Sequence, residues 1–365
     1  MCAGGSETSM QADLTVEEPP EALAELFVDS HCHPTDDPAA YTEANLDELS
    51  RRIQDSAVGK LVCMSTNARD QKLVAELASR HPLKVVPCFG WHPWFAHQIS
   101  LSDPAPSKRD HYYQLFGLSD GQVDDRGDLR IELDSMWDHL PDPISLRDVC
   151  DEIEGNFERF PNALLGEVGI DRAFRIPRRA WNYDPQKTAE DKADQPRLTR
   201  LKTPQAHQMS ILRAQIEVAL RFKRNISLHS VQAAGLTVDL LSSLRNTDLA
   251  SFGAIRLSLH SCTMDTNVVK SIAKKHANVY VGFSSTINRK QILQKECLAG
   301  VDRTRALMES DHHTVRNIPA CLLQASRYFA DLHGLSLEAA AQQLRSNWNA
   351  FYSSTYCQDQ DSDTD

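Results

Sequence analysis

The sequence has no long hydrophobic run and no signal-like N-terminus. No stretch of about eighteen consecutive apolar residues occurs in its 365 residues, so a transmembrane helix is not expected. Residues 1–20 are polar and acidic and lack the apolar centre of a secretory signal peptide. We therefore expect a protein of the cytoplasm, the nucleus or both, neither secreted nor partnered with a membrane.

Two further motifs are missing. The nine cysteines are odd in number and include no Cys-x-x-Cys pair, which suits reduced thiols better than a disulfide framework. No glycine-rich phosphate loop follows any of the apparent strands, which disfavours an open, doubly wound nucleotide-binding sheet.

Basic residues are absent from both ends of the chain. The formal net charge is −11, but residues 1–26 and 357–365 together hold ten acidic residues and no Lys or Arg. We predict that these ends are disordered acidic tails around a single domain, residues 27–356. Because the body is close to neutral, the acidic total does not exclude a local site for an anionic substrate.

Short apolar, β-rich runs recur along the body, and most are followed by a stretch with helical periodicity. Eight strands, apolar on both faces and alternating with helices, predict an α/β fold of the (β/α)8 TIM-barrel type. Thr203 is predicted to cap one helix, with Pro204 as its first residue. The predicted strands are Phe27–Asp29, Leu61–Ser65, Val85–Phe89, Ala163–Gly169, Ile226–Leu228, Arg256–Leu259, Val279–Phe283 and Ala306–Glu309.

Two long intervals, about 98–145 and 172–202, interrupt this alternation. Each follows an apparent strand, so we expect both insertions at the C-terminal face of the barrel, where active sites of this fold lie.

Polar residues stand at the ends of several predicted strands. His31 and His33 are two residues apart in an extended segment, so both imidazoles point to the same side. Each polar residue alone has an ordinary structural explanation, but in a barrel all would converge on one opening. Six ligands are too many for one tetrahedral ion and suit a pair of divalent ions about 3.5–4 Å apart. The candidates are four of the histidines at the strand ends, His31 and His33 among them, together with Glu167 and Asp311.

The motifs around these residues resemble those of the TatD family of metal-dependent deoxyribonucleases, within the amidohydrolase superfamily. They are Val28-Asp29-Ser30-His31-Cys32-His33, Gly90-Trp91-His92-Pro93, Gly166-Glu167-Val168-Gly169-Ile170-Asp171, Leu228-His229-Ser230 and Glu309-Ser310-Asp311. The resemblance implies that two divalent ions (Zn, Mg or Mn), bridged by Glu167, are held by His31, His33, Glu167, His229, His260 and Asp311. It places His92 near the substrate phosphate and Asn347 or Asn349 near a C-terminal signature.

The sequence departs from the family pattern in two places. After Asp311 the family often has a small residue, a proline and an aromatic residue, whereas this chain has His312, His313 and Thr314. The two histidines are either further ligands or phosphate contacts, or an exposed pair in a loop. The insertions are longer than in compact bacterial members and resemble a fungal branch.

The implied reaction is hydrolysis of phosphodiester bonds by a metal-activated water, removing nucleotides from the end of a DNA strand. Glu167, Asp311 and His92 are the predicted catalytic residues. Asp311 would accept the proton of the water and His92 would donate to a phosphate oxygen. In the second insertion, phosphate contacts and base stacking would come from Arg172, Arg175, Arg178, Arg179, Trp181 and Tyr183. The alternative for the arginines is a solvated loop paired with the acidic first insertion.

Two other functions stay open. One is hydrolysis of a small amide or ester, as in amidohydrolase relatives that bridge their ions with a carboxylated lysine; Glu167 in that position favours the nuclease. The other is an interaction protein that binds a protein partner through its insertions or tails. A complete ligand set argues for metal binding but does not exclude this added role.

Overall fold

The computed structural model describes residues 17–36, 43–118, 127–178, 198–293, 298 and 300–353. Most of the two predicted acidic tails, and also Arg179, Trp181 and Tyr183, lie outside these residues. Within the described part, no helix is long and apolar enough to cross a membrane.

Eight parallel strands form one sheet, in which each strand pairs with the next strand of the sheet along the chain. The hydroxyl of Ser30 on the first strand donates to the carbonyl of Met308 on the last, at 2.9 Å, so the sheet returns on itself as a barrel. The strands are β1 Val28–Cys32, β2 Lys60–Met64, β3 Val85–Phe89, β6 Leu164–Asp171, β7 Ile226–Val231, β8 Leu257–Leu259, β9 Val279–Ser284 and β10 Ala306–Glu309.

Helices cover the outside of the barrel because each strand is apolar on both faces and needs an apolar partner outside as well as inside. These helices are α1 Glu43–Asp55, α2 Ala68–Arg80, α5 Leu146–Arg159, α6 Gln205–Arg221, α7 Ala234–Thr247, α8 Leu249–Ala254, α9 Thr266–Lys275, α10 Arg289–Leu293, α11 Ile318–His333 and α12 Leu337–Tyr352. The predicted barrel is therefore confirmed.

Six of the eight strands differ from their predicted bounds by one to three residues at an end, and two further details differ from the prediction. Helix α6 begins at Gln205, with Pro204 rather than Thr203 at the N-cap position, because Pro204 has a non-helical ψ of 139°; no side chain at this position caps the helix. At the N-terminus, a 3-10 helix spans Glu21–Leu26, inside the predicted disordered tail. It belongs to the folded body because Arg345 on α12 donates to the Glu25 carbonyl at 2.7 Å.

The first insertion begins and ends in a small parallel sheet, with β4 Ile99–Ser100 paired to β5 Ile144–Ser145. Between them lie helices α3 Lys108–Leu115 and α4 Gly127–Ser135. Ile176 and Leu201, from the second insertion, join the buried apolar cluster of these helices. The two insertions thus share a core, and we call their described parts, 99–118, 127–145, 172–178 and 198–202, the auxiliary subdomain.

Candidate metal centre

The six predicted ligands meet at one end of the barrel. His31, Glu167 and His229 lie on β1, β6 and β7, while the other three follow β1, β8 and β10 directly or within two residues. None of the six has a side chain more than 15% exposed. Gly169 lets β6 approach β7 closely, because a Cβ there would overlap the backbone carbonyl of His229.

Glu167 lies between two groups of histidines and turns one carboxylate oxygen toward each. Its Oε2 lies 3.1 Å from His33 Nε2 and 3.4 Å from His31 Nε2. Its Oε1 lies 2.7 Å from His229 Nδ1 and 2.8 Å from His260 Nε2. Asp311 joins the first group, with Oδ1 3.5 Å from His33 Nε2. This is the arrangement expected of a carboxylate shared between two cation sites.

The charge state of Glu167 suits that role. Burial by itself would raise its pKa, but the histidines around it, His92, His260, His31 and His229, hold the pKa well below its ordinary value. A buried, ionised carboxylate among imidazole nitrogens needs positive charge nearby, which protonated histidines or bound cations provide. Imidazole and carboxylate are the donors that zinc and manganese use in proteins, so the residues present fit divalent metal ions.

Three of the histidines have a second polar partner on the ring nitrogen that faces away from Glu167. His31 Nδ1 lies 2.8 Å from Ser227 Oγ, and His229 Nε2 lies 3.4 Å from Asp171 Oδ2. His260 Nδ1 has only a charge contact, 3.5 Å from Glu309 Oε1, and makes no hydrogen bond with the described part of the chain. Such partners orient metal-binding histidines and select their tautomer.

The sequence prediction gave these outer partners no role, although signals for them exist. Asp171 and Glu309 stand inside the motifs already noted, and Ser227 shares a strand face with His229. What they contact depends on packing between strands.

Asp311 is held in place by its backbone. Its φ of 49° lies in the left-handed region, and its N–H donates to the carbonyl of His31 at 3.0 Å. The preceding Ser310 donates from its N–H and its hydroxyl to the buried carboxylate of Asp29, at 2.9 and 2.5 Å. Aspartate tolerates this backbone conformation better than most residues, so the loop can fix the carboxylate beside β1.

His92 contacts the same centre and is a neutral donor. Its Nδ1 accepts the backbone N–H of Trp94 at 3.1 Å, so the proton of the ring is on Nε2. Nε2 lies 3.3 Å from Glu167 Oε1. Burial lowers the pKa of His92 to about 4, which keeps the ring uncharged near neutral pH.

The histidines that follow Asp311 stack on each other, with ring centroids 5.0 Å apart. His313 is exposed and His312 is half-buried. His312 Nδ1 accepts the Thr314 N–H at 2.9 Å, so this nitrogen is not available as a ligand.

Three of the four predicted arginine contacts lie within the described residues, and all three are exposed. Arg178 lies 3.5 Å from the buried carboxylate of Glu132 in the first insertion, as the alternative interpretation anticipates. Arg172 donates to the Gln232 carbonyl at 3.1 Å. Arg175 makes no ion pair with the described part of the chain.

The C-terminal asparagines are away from the site. Asn347 is buried and donates to the carbonyls of Arg303 and Ala306, at 2.7 and 2.9 Å, where β10 begins. Asn349 is exposed. Since the six ligands lie at the opposite ends of the strands, Asn347 serves the attachment of α12.

A closed parallel barrel with a His-x-His pair and a shared carboxylate defines the class of hydrolases built on metal-binding barrels. A sequence model of the family "TatD related DNase" matches residues 28–353, and the chain belongs to this family. The resemblance seen in the motifs is thereby confirmed.

Two fungal proteins are similar over most of this chain. The Cut9-interacting protein scn1 of Schizosaccharomyces pombe is 28% identical over 90% of this chain and 98% of its own length. A protein of Saccharomyces cerevisiae named as an uncharacterised deoxyribonuclease is 27% identical over 78% of this chain and 83% of its own length.

Solved structures support the fold. An uncharacterised amidohydrolase from Saccharomyces cerevisiae aligns with a TM-score of 0.58 at 12% identity, covering 89% of this chain and 99% of that one. The TatD homologue YJJV of Escherichia coli aligns with a TM-score of 0.54 at 16% identity, covering 90% and 98%.

Proposed function

We propose that this protein is a metal-dependent deoxyribonuclease that hydrolyses phosphodiester bonds at the end of a DNA strand. The observation that carries the proposal is Glu167, whose two carboxylate oxygens each face a separate group of buried ligands. Membership of the TatD-related family supports DNA as the substrate class.

The ligand groups divide between two ions. His31, His33, Asp311 and Glu167 Oε2 would hold one divalent ion, and His229, His260 and Glu167 Oε1 would hold the other. When bound, the pair would neutralise charge on the phosphoryl group and make a water molecule more acidic.

Three residues of the chain itself have roles in this chemistry. Asp311 would accept the proton of the attacking water, since its side chain is only 15% exposed and its backbone N–H donates to the His31 carbonyl. His92 would donate a hydrogen bond from its Nε2–H to a non-bridging phosphate oxygen, because its other nitrogen already accepts the Trp94 N–H. Exposed Arg175 would contact a backbone phosphate of the same strand.

The test is hydrolysis of an end-labelled single-stranded DNA by Glu167→Ala and Asp311→Ala. Both should lose at least about a thousandfold in kcat while the barrel folds normally by circular dichroism. Glu76→Ala removes an exposed carboxylate on α2 and is the matched control. Full activity of Glu167→Ala would contradict the mechanism. A parallel panel of small amides and esters tests the other hydrolase candidate, which predicts turnover there and none on DNA.

A protein partner is a second candidate, favoured by the name of the Schizosaccharomyces pombe relative, Cut9-interacting protein scn1, and by the auxiliary subdomain. Its surface includes Ile131 and Leu198, which are 67% and 56% exposed. In a pull-down from the native extract, Ile131→Asp with Leu198→Asp should reduce recovery of a specific partner.

We also propose that the protein is located in the cytoplasm or nucleus, which a fluorescent fusion would test.

A further inference from the structure

The auxiliary subdomain has a tight internal structure. Ile176 and Thr199 pair across the second insertion, with N···O distances of 3.0 Å from Ile176 to Leu201 and from Thr199 to Ile176. The buried Glu132 on α4 accepts the backbone N–H of Arg200 at 2.6 Å. The position of the second insertion is therefore fixed by the helices of the first.

This subdomain reaches the candidate metal centre through an aromatic contact. Phe174 stacks on Trp94, with ring centroids 5.1 Å apart and planes 12° from parallel. Trp94 lies in the 3-10 helix Pro93–Gln98, which follows the site residue His92. Both aromatic rings are half-buried.

Trp94 also contacts the carboxylate behind His229. Its indole N–H donates to Asp171 Oδ2 at 2.7 Å, and the same oxygen lies 3.4 Å from His229 Nε2. The other oxygen of Asp171 accepts the backbone N–H groups of Ala173 and Phe174, at 2.7 and 2.9 Å. The Asp171 carboxylate thus contacts Trp94, the backbone at the start of the second insertion, and the imidazole of His229.

The arrangement constrains the tautomer of His229. Its Nδ1 faces Glu167, so a neutral ring that binds a cation there must carry its proton on Nε2, toward Asp171. Asp171 can accept a hydrogen bond from that Nε2–H only if Oδ2 stays aligned with the ring. The hydrogen bond from the indole N–H of Trp94 fixes the position of that oxygen, and stacking on Phe174 fixes the position of the indole.

We propose that Trp94 is a positioning residue, which transmits the placement of the auxiliary subdomain through Asp171 to the orientation of the metal ligand His229. The inference rests on the metal centre of the proposed function but not on DNA as the substrate. It gives the two insertions a role in building the site.

The experiment measures Zn²⁺ affinity in competition with a chromogenic chelator, and the visible spectrum of the Co²⁺ form. Trp94→Phe keeps a ring for stacking and removes the donor, so we expect about tenfold weaker binding of the more weakly held ion and an altered Co²⁺ spectrum. Trp137→Phe is the control, because that ring contacts Lys108 and Tyr112 within the subdomain.

A double variant tests whether Trp94 acts through Asp171. If it does, Trp94→Phe combined with Asp171→Asn should bind the ion no more than about twofold more weakly than Asp171→Asn alone. Independent, multiplying effects would overturn the proposal, as would wild-type affinity in Trp94→Phe. Phe174→Leu removes the stacking and should lower the metal affinity by less than Trp94→Phe does. Unchanged affinity in Phe174→Leu would show that the auxiliary subdomain does not influence His229 through Phe174.

Failure of this inference is distinguishable from failure of the proposed function. If the wild-type protein binds no divalent metal, the metal centre itself is refuted. If it binds two ions and Trp94→Phe binds them equally well, only the positioning role is refuted. Should Trp94→Phe not fold, judged by circular dichroism, Phe174→Leu and Asp171→Asn give the same comparison.

Discussion

Asn347→Ala tests the attachment of the last helix to the barrel. The side chain donates to two backbone carbonyls, those of Arg303 and Ala306, and its own oxygen accepts the Gln343 amide at 2.8 Å. Asn347 is 2% exposed, so water cannot replace these bonds without rearrangement. Each of the two stranded carbonyls costs about 1–2 kcal/mol, which predicts a total loss of about 2–4 kcal/mol.

The assay is urea unfolding followed by circular dichroism. With a slope of about 3 kcal/mol per molar urea, the midpoint of Asn347→Ala should fall by about 1 M at an unchanged slope. Asn349→Ala is the matched control, because Asn349 is exposed two residues further along the same helix. Its midpoint should move by less than about 0.2 M. Equal midpoints for the two variants would refute the structural role of Asn347, as would a selective loss of kcat in folded Asn347→Ala.

Three other changes have definite expected outcomes. Arg175→Glu should raise KM for single-stranded DNA and should reduce the slope of log KM against log salt concentration by about one unit. Arg51→Glu, on α1, should change neither KM nor this slope. Leu133→Ala leaves a cavity at a fully buried position of the auxiliary subdomain and should destabilise that subdomain by about 2–5 kcal/mol. Hydrogen exchange should then be faster in α3 and α4 but unchanged in the barrel strands. Ser227→Ala removes the outer partner of His31 and should weaken metal binding by about tenfold, measured by chelator competition; unchanged affinity would make the 2.8 Å contact incidental.

The barrel was predictable from the sequence because the signal is local. Each strand is a short run that is apolar on both faces, and β3 and β10 agree with their predicted bounds, Val85–Phe89 and Ala306–Glu309. Convergence of the six ligands then follows, since parallel strands in a barrel all end on the same face. Their assignment to metal stays a prediction until an ion is measured.

The contacts between distant segments were not predictable in the same way. Trp94 and Asp171 are far apart in sequence, and no local pattern indicates that an indole N–H donates to that carboxylate. The shared core of the two insertions likewise depends on Ile176 and Leu201 packing against helices of the other insertion. At the N-terminus, acidic composition predicted a tail as far as residue 26, although Leu26 and its helix pack on the body.

The most direct test of the central claim combines metal analysis with digestion of an end-labelled single-stranded DNA by the same preparation. The account predicts two divalent ions per chain, stepwise shortening of the DNA, loss of both after chelation and dialysis, and recovery when Zn²⁺, Mg²⁺ or Mn²⁺ is returned. An unchanged rate of DNA hydrolysis in protein freed of metal would contradict it.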